Sequence, residues 1–179
     1  MDHERKVILY IAASLDGYIA KPGDDLGFLS MVQKEGEDYG YAEFEKSVDT
    51  VIMGRRTFDW VSRETSMLPH PGKETYIITR TARPAIGTTK FYTGDLKELV
   101  LRLKNEKGGN IFCDGGAGLV HELLKDNLID EFIISIIPVL VGGGTRLFKD
   151  DRTEQRLELI SVKPFETGLV QLHYRYKGN

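Results

Sequence analysis

The stretch from Asn110 to Lys125, Asn-Ile-Phe-Cys-Asp-Gly-Gly-Ala-Gly-Leu-Val-His-Glu-Leu-Leu-Lys, decides how the rest of the chain is read. A short apolar run (Ile111, Phe112, Cys113) ends in Asp114 and the pair Gly115-Gly116. An apolar-periodic segment with Leu119, Val120, Leu123 and Leu124 follows at once. That is the pattern of a strand, a glycine turn and the start of a helix. Glycines at such a turn remove the Cβ atoms that would hold a ligand's phosphates away from free backbone N–H groups at the helix's positive end. A tight strand-to-helix turn without a ligand has the same pattern, so this stretch alone leaves both readings open.

Working outward, the strand-glycine-helix plan occurs a second time. Thr50 to Met53 is rich in β-branched residues and stops at Gly54, and Arg55 to Val61 has the spacing of a short helix. Val7 to Ala13 is almost continuously apolar, as a strand covered on both faces must be in a parallel sheet. After it Ser14-Leu15-Asp16-Gly17 bends the chain, and Tyr18 to Leu29, with Pro22-Gly23-Asp24-Asp25, reads as a turn-rich loop on the side where open α/β sheets bind ligands. Tyr41, Phe44 and Val48 predict a helix over Glu37 to Ser47 in spite of Gly40. Thr75 to Thr79 and Phe91 to Thr93 are further strands, and Leu96, Leu99, Val100 and Leu103 mark one face of a helix from Asp95 to Asn105. From Asp130 the alternation stops. A long apolar run is broken by Pro138 and closed by Gly142-Gly143-Gly144, and Leu157 to Pro164 with Leu169 to Tyr176 reads as an antiparallel hairpin. The expected fold is α/β, a central mostly parallel sheet flanked by helices with an antiparallel C-terminal hairpin.

The totals narrow the function. A chain of 179 residues, 41% hydrophobic and 28% charged, is expected to form one domain over residues 1–179. A net charge of −3 with both signs scattered offers no basic stripe for a nucleic-acid backbone. No run reaches the ~18 apolar residues of a membrane helix, and the opening Met-Asp-His-Glu-Arg-Lys leads into a strand, not a signal-peptide core, so a cytoplasmic protein without a membrane partner is expected. The single Cys113 supports neither a disulfide framework nor a thiolate cluster, and His3, His70, His121 and His173 lack metal-ligand spacing; no metal is expected. Phe58 and Trp60 read as core, and Lys149-Asp150-Asp151-Arg152 as a solvated loop.

Gly116-Ala117-Gly118-Leu119-Val120-His121 begins like a dinucleotide fingerprint but has His121 at the third glycine position, and no P-loop lysine follows. A different family supplies the pattern. Val51-Ile52-Met53-Gly54-Arg55-Arg56-Thr57-Phe58 resembles the dihydrofolate reductase motif that binds the reduced nicotinamide cofactor. Pro71-Gly72-Lys73-Glu74-Thr75-Tyr76-Ile77-Ile78-Thr79-Arg80 resembles that family's loop and strand at the adenosine 2′-phosphate, and Asp114-Gly115-Gly116-Ala117 its Gly-Gly turn. Ser14-Leu15-Asp16-Gly17-Tyr18-Ile19-Ala20 and the segment from Ile129 to Gly144 are closer to one branch, the reductase domain of riboflavin-biosynthesis deaminase-reductases and its stand-alone homologues. The three motifs, in family order, span most of the chain and imply the dihydrofolate reductase-like three-layer fold.

The resemblance implies an NADPH-dependent oxidoreductase. Arg55 and Arg80, with Thr79, would hold the 2′-phosphate, for which guanidinium forks are suited. Gly54, Arg56, Thr57, Asp114 and the backbone of Gly115, Gly116, Ala117, Gly118 and Leu119 would form the pyrophosphate side, with a cis Gly115–Gly116 peptide and no need of a third glycine. Ala12, Ala13, Ile19 and Ala20 would flank the nicotinamide. Asp38, counted back from Gly54, falls where dihydrofolate reductases keep the carboxylate that binds the pterin ring, with Asp16 as a second catalytic candidate and Glu43 as a weaker third.

Two departures bear on the acceptor. Lys73 stands where dihydrofolate reductases clamp the folate carboxylate with arginine, and Tyr10 where many riboflavin-pathway reductases carry lysine. The zinc-dependent deaminase half is excluded by a single cysteine. The expected acceptor is a small heterocycle or ribosyl-pyrimidine, foremost the 5-amino-6-ribosylaminouracil phosphate of riboflavin synthesis; the competing class is a non-catalytic NADP-binding module. The long apolar segment Phe132 to Val141 exceeds what one sheet layer obviously buries, and a homodimer sharing it is the expected assembly.

Overall fold

The computed structural model describes residues 4–178; His3 lies outside them. Ten strands and four α-helices follow one another as β1 (Val7–Ser14), β2 (Tyr18–Ala20), α1 (Tyr41–Lys46), β3 (Val48–Gly54), α2 (Arg55–Thr65), β4 (Glu74–Ile78), β5 (Thr89–Tyr92), α3 (Leu96–Asn105), β6 (Asn110–Gly115), α4 (Ala117–Lys125), β7 (Glu131–Ile137), β8 (Thr145–Arg146), β9 (Leu157–Pro164) and β10 (Val170–Tyr176). A 3-10 helix, Gly27–Val32, precedes α1. Eight strands form one sheet in the order β5-β4-β3-β6-β1-β7-β10-β9, parallel from β5 through β7 and antiparallel for β10 and β9.

Residue parity along the strands assigns the two faces. Val7, Leu9, Ile52, Ile111 and Cys113 pack against Leu99, Val100, Leu103, Val120 and Leu123 of α3 and α4. The alternate residues Ile8, Val51 and Phe112 meet Phe44 of α1, Met53 and Ile77 meet Phe58 of α2, and Ile137 and Leu169 meet Phe28 and Val32 of the 3-10 helix. β1 is apolar throughout because helices cover it on both sides. Asp95 caps α3 as its spacing suggests, its Oδ1 accepting the Glu98 N–H at 2.8 Å.

Two expectations change. The helix over Glu37 to Ser47 begins only at Tyr41, because Tyr39 (φ 58°) and Gly40 (φ 84°) are left-handed and hold the preceding residues outside it. The Tyr18 to Leu29 loop contains structure of its own: β2 pairs with β8 in a separate two-stranded sheet, and the 3-10 helix follows. β7 ends at Ile137, directly before Pro138, where the break in the apolar run is expected. Phe132, Ile134 and Ile137 are all under 9% exposed, because β7 runs between β1 and β10 and needs two covered faces. Past the strand the segment does leave apolar surface open, with Leu140 70% exposed. A second exposed apolar patch lies on the edge strand β9, where Leu157, Leu159, Ile160 and Val162 are each 40% exposed or more.

Candidate active site

β3 and β6 are neighbours, both end in glycine, and each leads directly into a helix. Their N-cap residues, Gly54 and Gly116, have no side chain to offer, so α2 and α4 both open without a side-chain cap and leave first-turn N–H groups free. The two helix starts are tied together: Thr57 Oγ1 accepts the Gly116 N–H at 3.0 Å. Cβ atoms would crowd this junction. One on Gly116 would sit 3.0 Å from Thr57 Oγ1, and one on Gly54 3.4 Å from the Gly115 carbonyl. Gly115 has φ 96°, which only glycine adopts freely, and the Gly115–Gly116 peptide is cis. Gly118 is exposed in the first turn of α4, Ala117 and Leu119 are buried beside it, and the Lys149 ammonium lies 3.8 Å from where a Gly118 Cβ would be. The sequence treats Lys149 as part of a solvated loop; only the fold brings it to α4.

The basic groups lie along the same edge. Arg55 pairs with Asp59 (3.2 Å), and Arg56 grips Asp24 through Nη2 (2.6 Å) and Nε (3.2 Å), which fastens the loop after β2 to α2. These residues line a cavity of about 420 Å³ with Trp60 and Arg63, so Trp60 is half-buried wall while Phe58 is core. Gly54 is in register with Ile78, which sets Thr79 and Arg80 just beyond the ends of β3 and β4. Arg80 is exposed and makes no ion pair among the described residues.

A larger cavity, about 680 Å³, opens on the α1 face above β1 and β7. Ala12 lines it; Ala13, one residue on, is 1% exposed in the core of the opposite face, Ile19 packs against that core and Ala20 is buried. The cavity wall carries a polar network. Gln171 Nε2 donates to Tyr10 Oη (3.2 Å), the Tyr39 carbonyl (3.1 Å) and Ser135 Oγ (3.3 Å), and Tyr10 Oη donates to the same carbonyl (3.1 Å). Tyr10 stacks on Phe44 at 4.6 Å and meets Tyr41 edge-on at 5.5 Å. Burial raises the Tyr10 phenol pKa, and burial with the nearby Asp114 charge pushes Tyr41 up to about 12, so both keep their protons at neutral pH.

The structure brings Asp38 to this cavity but not Asp16 or Glu43. Asp38 Oδ1 accepts the Gly40 N–H (2.9 Å) and Oδ2 the Ala42 N–H (3.0 Å), which lowers its pKa. Asp16 is lowered by the Ser14 hydroxyl at 2.6 Å and by the N–H groups of Gly142 (2.8 Å) and Val141 (3.1 Å), so it joins the bend after β1 to the segment after β7. Glu43 is exposed on α1 facing Lys46. Lys73 donates to the carbonyls of Glu45 (2.9 Å) and Val48 (2.7 Å).

One pair was not legible in the sequence. His70 Nε2 lies 2.7 Å from Asp114 Oδ2, its ring edge-on to Phe112, with His70 held at φ 53°. Forty-four positions separate the partners, and no spacing rule links them. Among the described residues no group of three or more His, Cys, Asp or Glu side chains is placed to hold a metal ion, and no helix is long and apolar enough to cross a membrane.

Comparison with known proteins extends these observations. The RibD C-terminal domain family matches residues 5–171. The uncharacterized protein YwjB of Bacillus subtilis (strain 168) is 42% identical over 172 residues, which cover 96% of this chain and 98% of that one. A putative riboflavin biosynthesis protein from Shewanella sp. PV-4 superposes with a TM-score of 0.88 at 28% identity, covering 97% of this chain and 99% of that one. Enterococcus faecalis dihydrofolate reductase, solved with NADP(H), superposes at 0.71 with 18% identity over 99% of this chain and 100% of that one, so the three-layer architecture is the dihydrofolate reductase-like fold.

Proposed function

The chain belongs to the RibD C-terminal domain family, and from that premise we propose that it is an NADPH-dependent oxidoreductase that reduces a small heterocyclic or ribosyl-pyrimidine acceptor, as 5-amino-6-(5-phosphoribosylamino)uracil reductases and dihydrofolate reductases do. The observation that carries this reading is the pair of uncapped helix starts joined through Thr57 and Gly116. An N–H-rich, Cβ-free cradle of that kind fits a pyrophosphate. Gly54, Thr57 and residues Asp114 to Leu119 hold the pyrophosphate side, with Arg56 and the Lys149 ammonium beside them. Arg55, Thr79 and Arg80 take the 2′-phosphate, Arg55 exchanging its Asp59 partner for a more highly charged one. Ala12, Ala13, Ile19 and Ala20 shape the nicotinamide end, Ala12 by its side chain and Ala13 by its backbone. The cofactor supplies the hydride; the chain's part is to orient the acceptor and exclude water.

The acceptor occupies the larger cavity. Asp38, ionised at neutral pH, accepts an N–H of the acceptor and favours its protonated form. Asp16 acts at one remove, fixing the segments that frame the nicotinamide end. The test is a titration of NADPH and NADH against the protein, followed by NADPH oxidation with dihydrofolate and with aminopyrimidine acceptors. Tight NADPH binding with turnover supports the reading; NADH binding as tightly as NADPH defeats the 2′-phosphate assignment.

A second reading, a non-catalytic NADP-binding module, is favoured by one observation: the carboxyls of Asp16 and Asp38 are both held ionised and committed to backbone N–H groups, so neither has a proton to give. Saturable NADPH binding with no oxidation by any acceptor would establish it. The remaining assignments are that the protein acts in the cytoplasm on small molecules, apart from nucleic acid and membranes, as a homodimer. Its contact is the segment Phe132 to Val141, where Leu140 is 70% exposed, and light scattering that gives a monomer mass at working concentration would remove it.

A further inference from the structure

The acceptor cavity differs from a phosphate site in the balance of charge around it. Its rim carries three acidic side chains, Glu35, Glu37 and Asp38, and one basic one, Lys34. Lys34 is already engaged in an ion pair with Glu166, which raises its own pKa and lowers that of its partner. Glu35 is exposed and makes no ion pair among the described residues. The nearby Lys73 has turned its ammonium to two backbone carbonyls. Below the rim the wall is uncharged: Tyr10, Ser135 and Tyr39, which Gln171 ties together by hydrogen bonds, supply hydroxyl and carbonyl dipoles, and Ala12, Ile137 and Leu169 supply apolar surface. A dianion entering here meets three like charges and, among the described residues that line the cavity, no free cation, whereas a flat ring rich in N–H groups meets the Asp38 carboxylate and aromatic faces.

We infer that the acceptor is an unphosphorylated, N–H-rich heterocycle, and that the acidic rim selects against its phosphate ester. This rests on the reading above that the larger cavity is the acceptor site. The inference separates this chain from a reductase that must hold a ribosyl phosphate, for which a guanidinium or free ammonium at the rim would be required.

The test uses a ribosylaminopyrimidine and its 5′-phosphate, identical but for the ester, titrated calorimetrically into the full-length protein with and without NADP present. NADP binding is measured in the same samples. The unphosphorylated member is expected to bind about 30-fold more tightly at low salt, as three like charges within reach of one dianion imply. The gap should narrow several-fold toward 1 M salt, where the screening length falls to about 3 Å. Glu35→Lys, which puts an ammonium on the rim, should improve the phosphate ester about 10-fold relative to the unphosphorylated member. A phosphate ester that binds as tightly as its partner overturns the inference, as does a gap that ignores both salt and Glu35→Lys. Binding of neither member also overturns it, while leaving the cofactor reading intact if NADP binds. Failure of NADP alone defeats the cofactor reading and not this one, because the pair is compared without NADP as well.

Discussion

The two sides of the ligand region are made of different material. The side at the ends of β3 and β6 is backbone: free N–H groups, glycines, and a junction where one hydroxyl meets one amide. The side above β1 and β7 is side chain: Gln171 donates to Tyr10, 161 positions away, and to Ser135, and Tyr10 and Gln171 share the Tyr39 carbonyl. Backbone can serve any side-chain background that leaves room for it, so the first side is suited to a constant ligand. A wall of side chains changes with each substitution, so the second is suited to a ligand that differs from one relative to the next. Enterococcus faecalis dihydrofolate reductase shares the frame at only 18% identity, as such a division allows.

The difference is open to attack, beginning with the place where both sides fail together. Gly144, at φ 125°, lies where a Cβ would come 2.1 Å from the Ala20 carbonyl, at the junction of β2 and β8. Gly144→Ala should cost roughly 3–5 kcal/mol from overpacking and backbone strain, read as a fall in thermal midpoint with both ligands weakened. A variant as stable as the parent would show that this junction supports neither side.

Next, Arg55→Ala with Arg80→Ala should weaken NADPH about 100-fold and NADH less than about 3-fold, the effect of removing two charged hydrogen-bonding groups from one phosphate. Acceptor-site stability should stay as it was. Gln171→Leu is the converse: it removes the donor shared by Tyr10, Tyr39 and Ser135, and should cost about 1–3 kcal/mol in denaturant unfolding with NADPH affinity unchanged. If NADPH weakens in step, the two sides are not separable.

The smallest effect is electrostatic. The backbone N–H groups of Gly40 and Ala42 hold the Asp38 carboxyl below its ordinary 3.8, so the ionised form is the one the fold prefers. Its stabilisation is complete above that ordinary value and fades as pH drops through the lowered one. Asp38→Asn keeps a capping oxygen but cannot titrate. The stability difference between parent and variant should therefore be level at neutral pH and close in acid, as thermal midpoints across pH would show; a gap constant down to pH about 2 would remove the charge from the account.

These contrasts also explain what the sequence made readable. The glycine junction at the starts of α2 and α4 is encoded in consecutive residues, Gly54 to Thr57 and Asp114 to Leu119, and local spacing is what a sequence displays directly. The helix at Asp95 and the covered strand at Val7 follow from periodicity for the same reason. β2 and β8, three and two residues long, are too short for periodicity to register. The start of α1 was misplaced because Tyr39 takes a left-handed conformation that its residue type does not announce. The cavity wall, the His70–Asp114 pair and the approach of Lys149 to α4 are all contacts between distant segments, formed only once the sheet is ordered.

The sheet order has one more consequence, a matter of distance. β6 opens into the glycine junction and β7 lines the larger cavity, and β1 alone runs between them. Two strand spacings, about 10 Å, are all that separate the two supports, so on the proposed reading a nicotinamide ring and a flat acceptor would share the space above a single strand. Ala12 lines the cavity at that seam. On the same reading position 12 is a spacer reduced to one methyl group, and a longer side chain there would hold donor carbon and acceptor carbon apart.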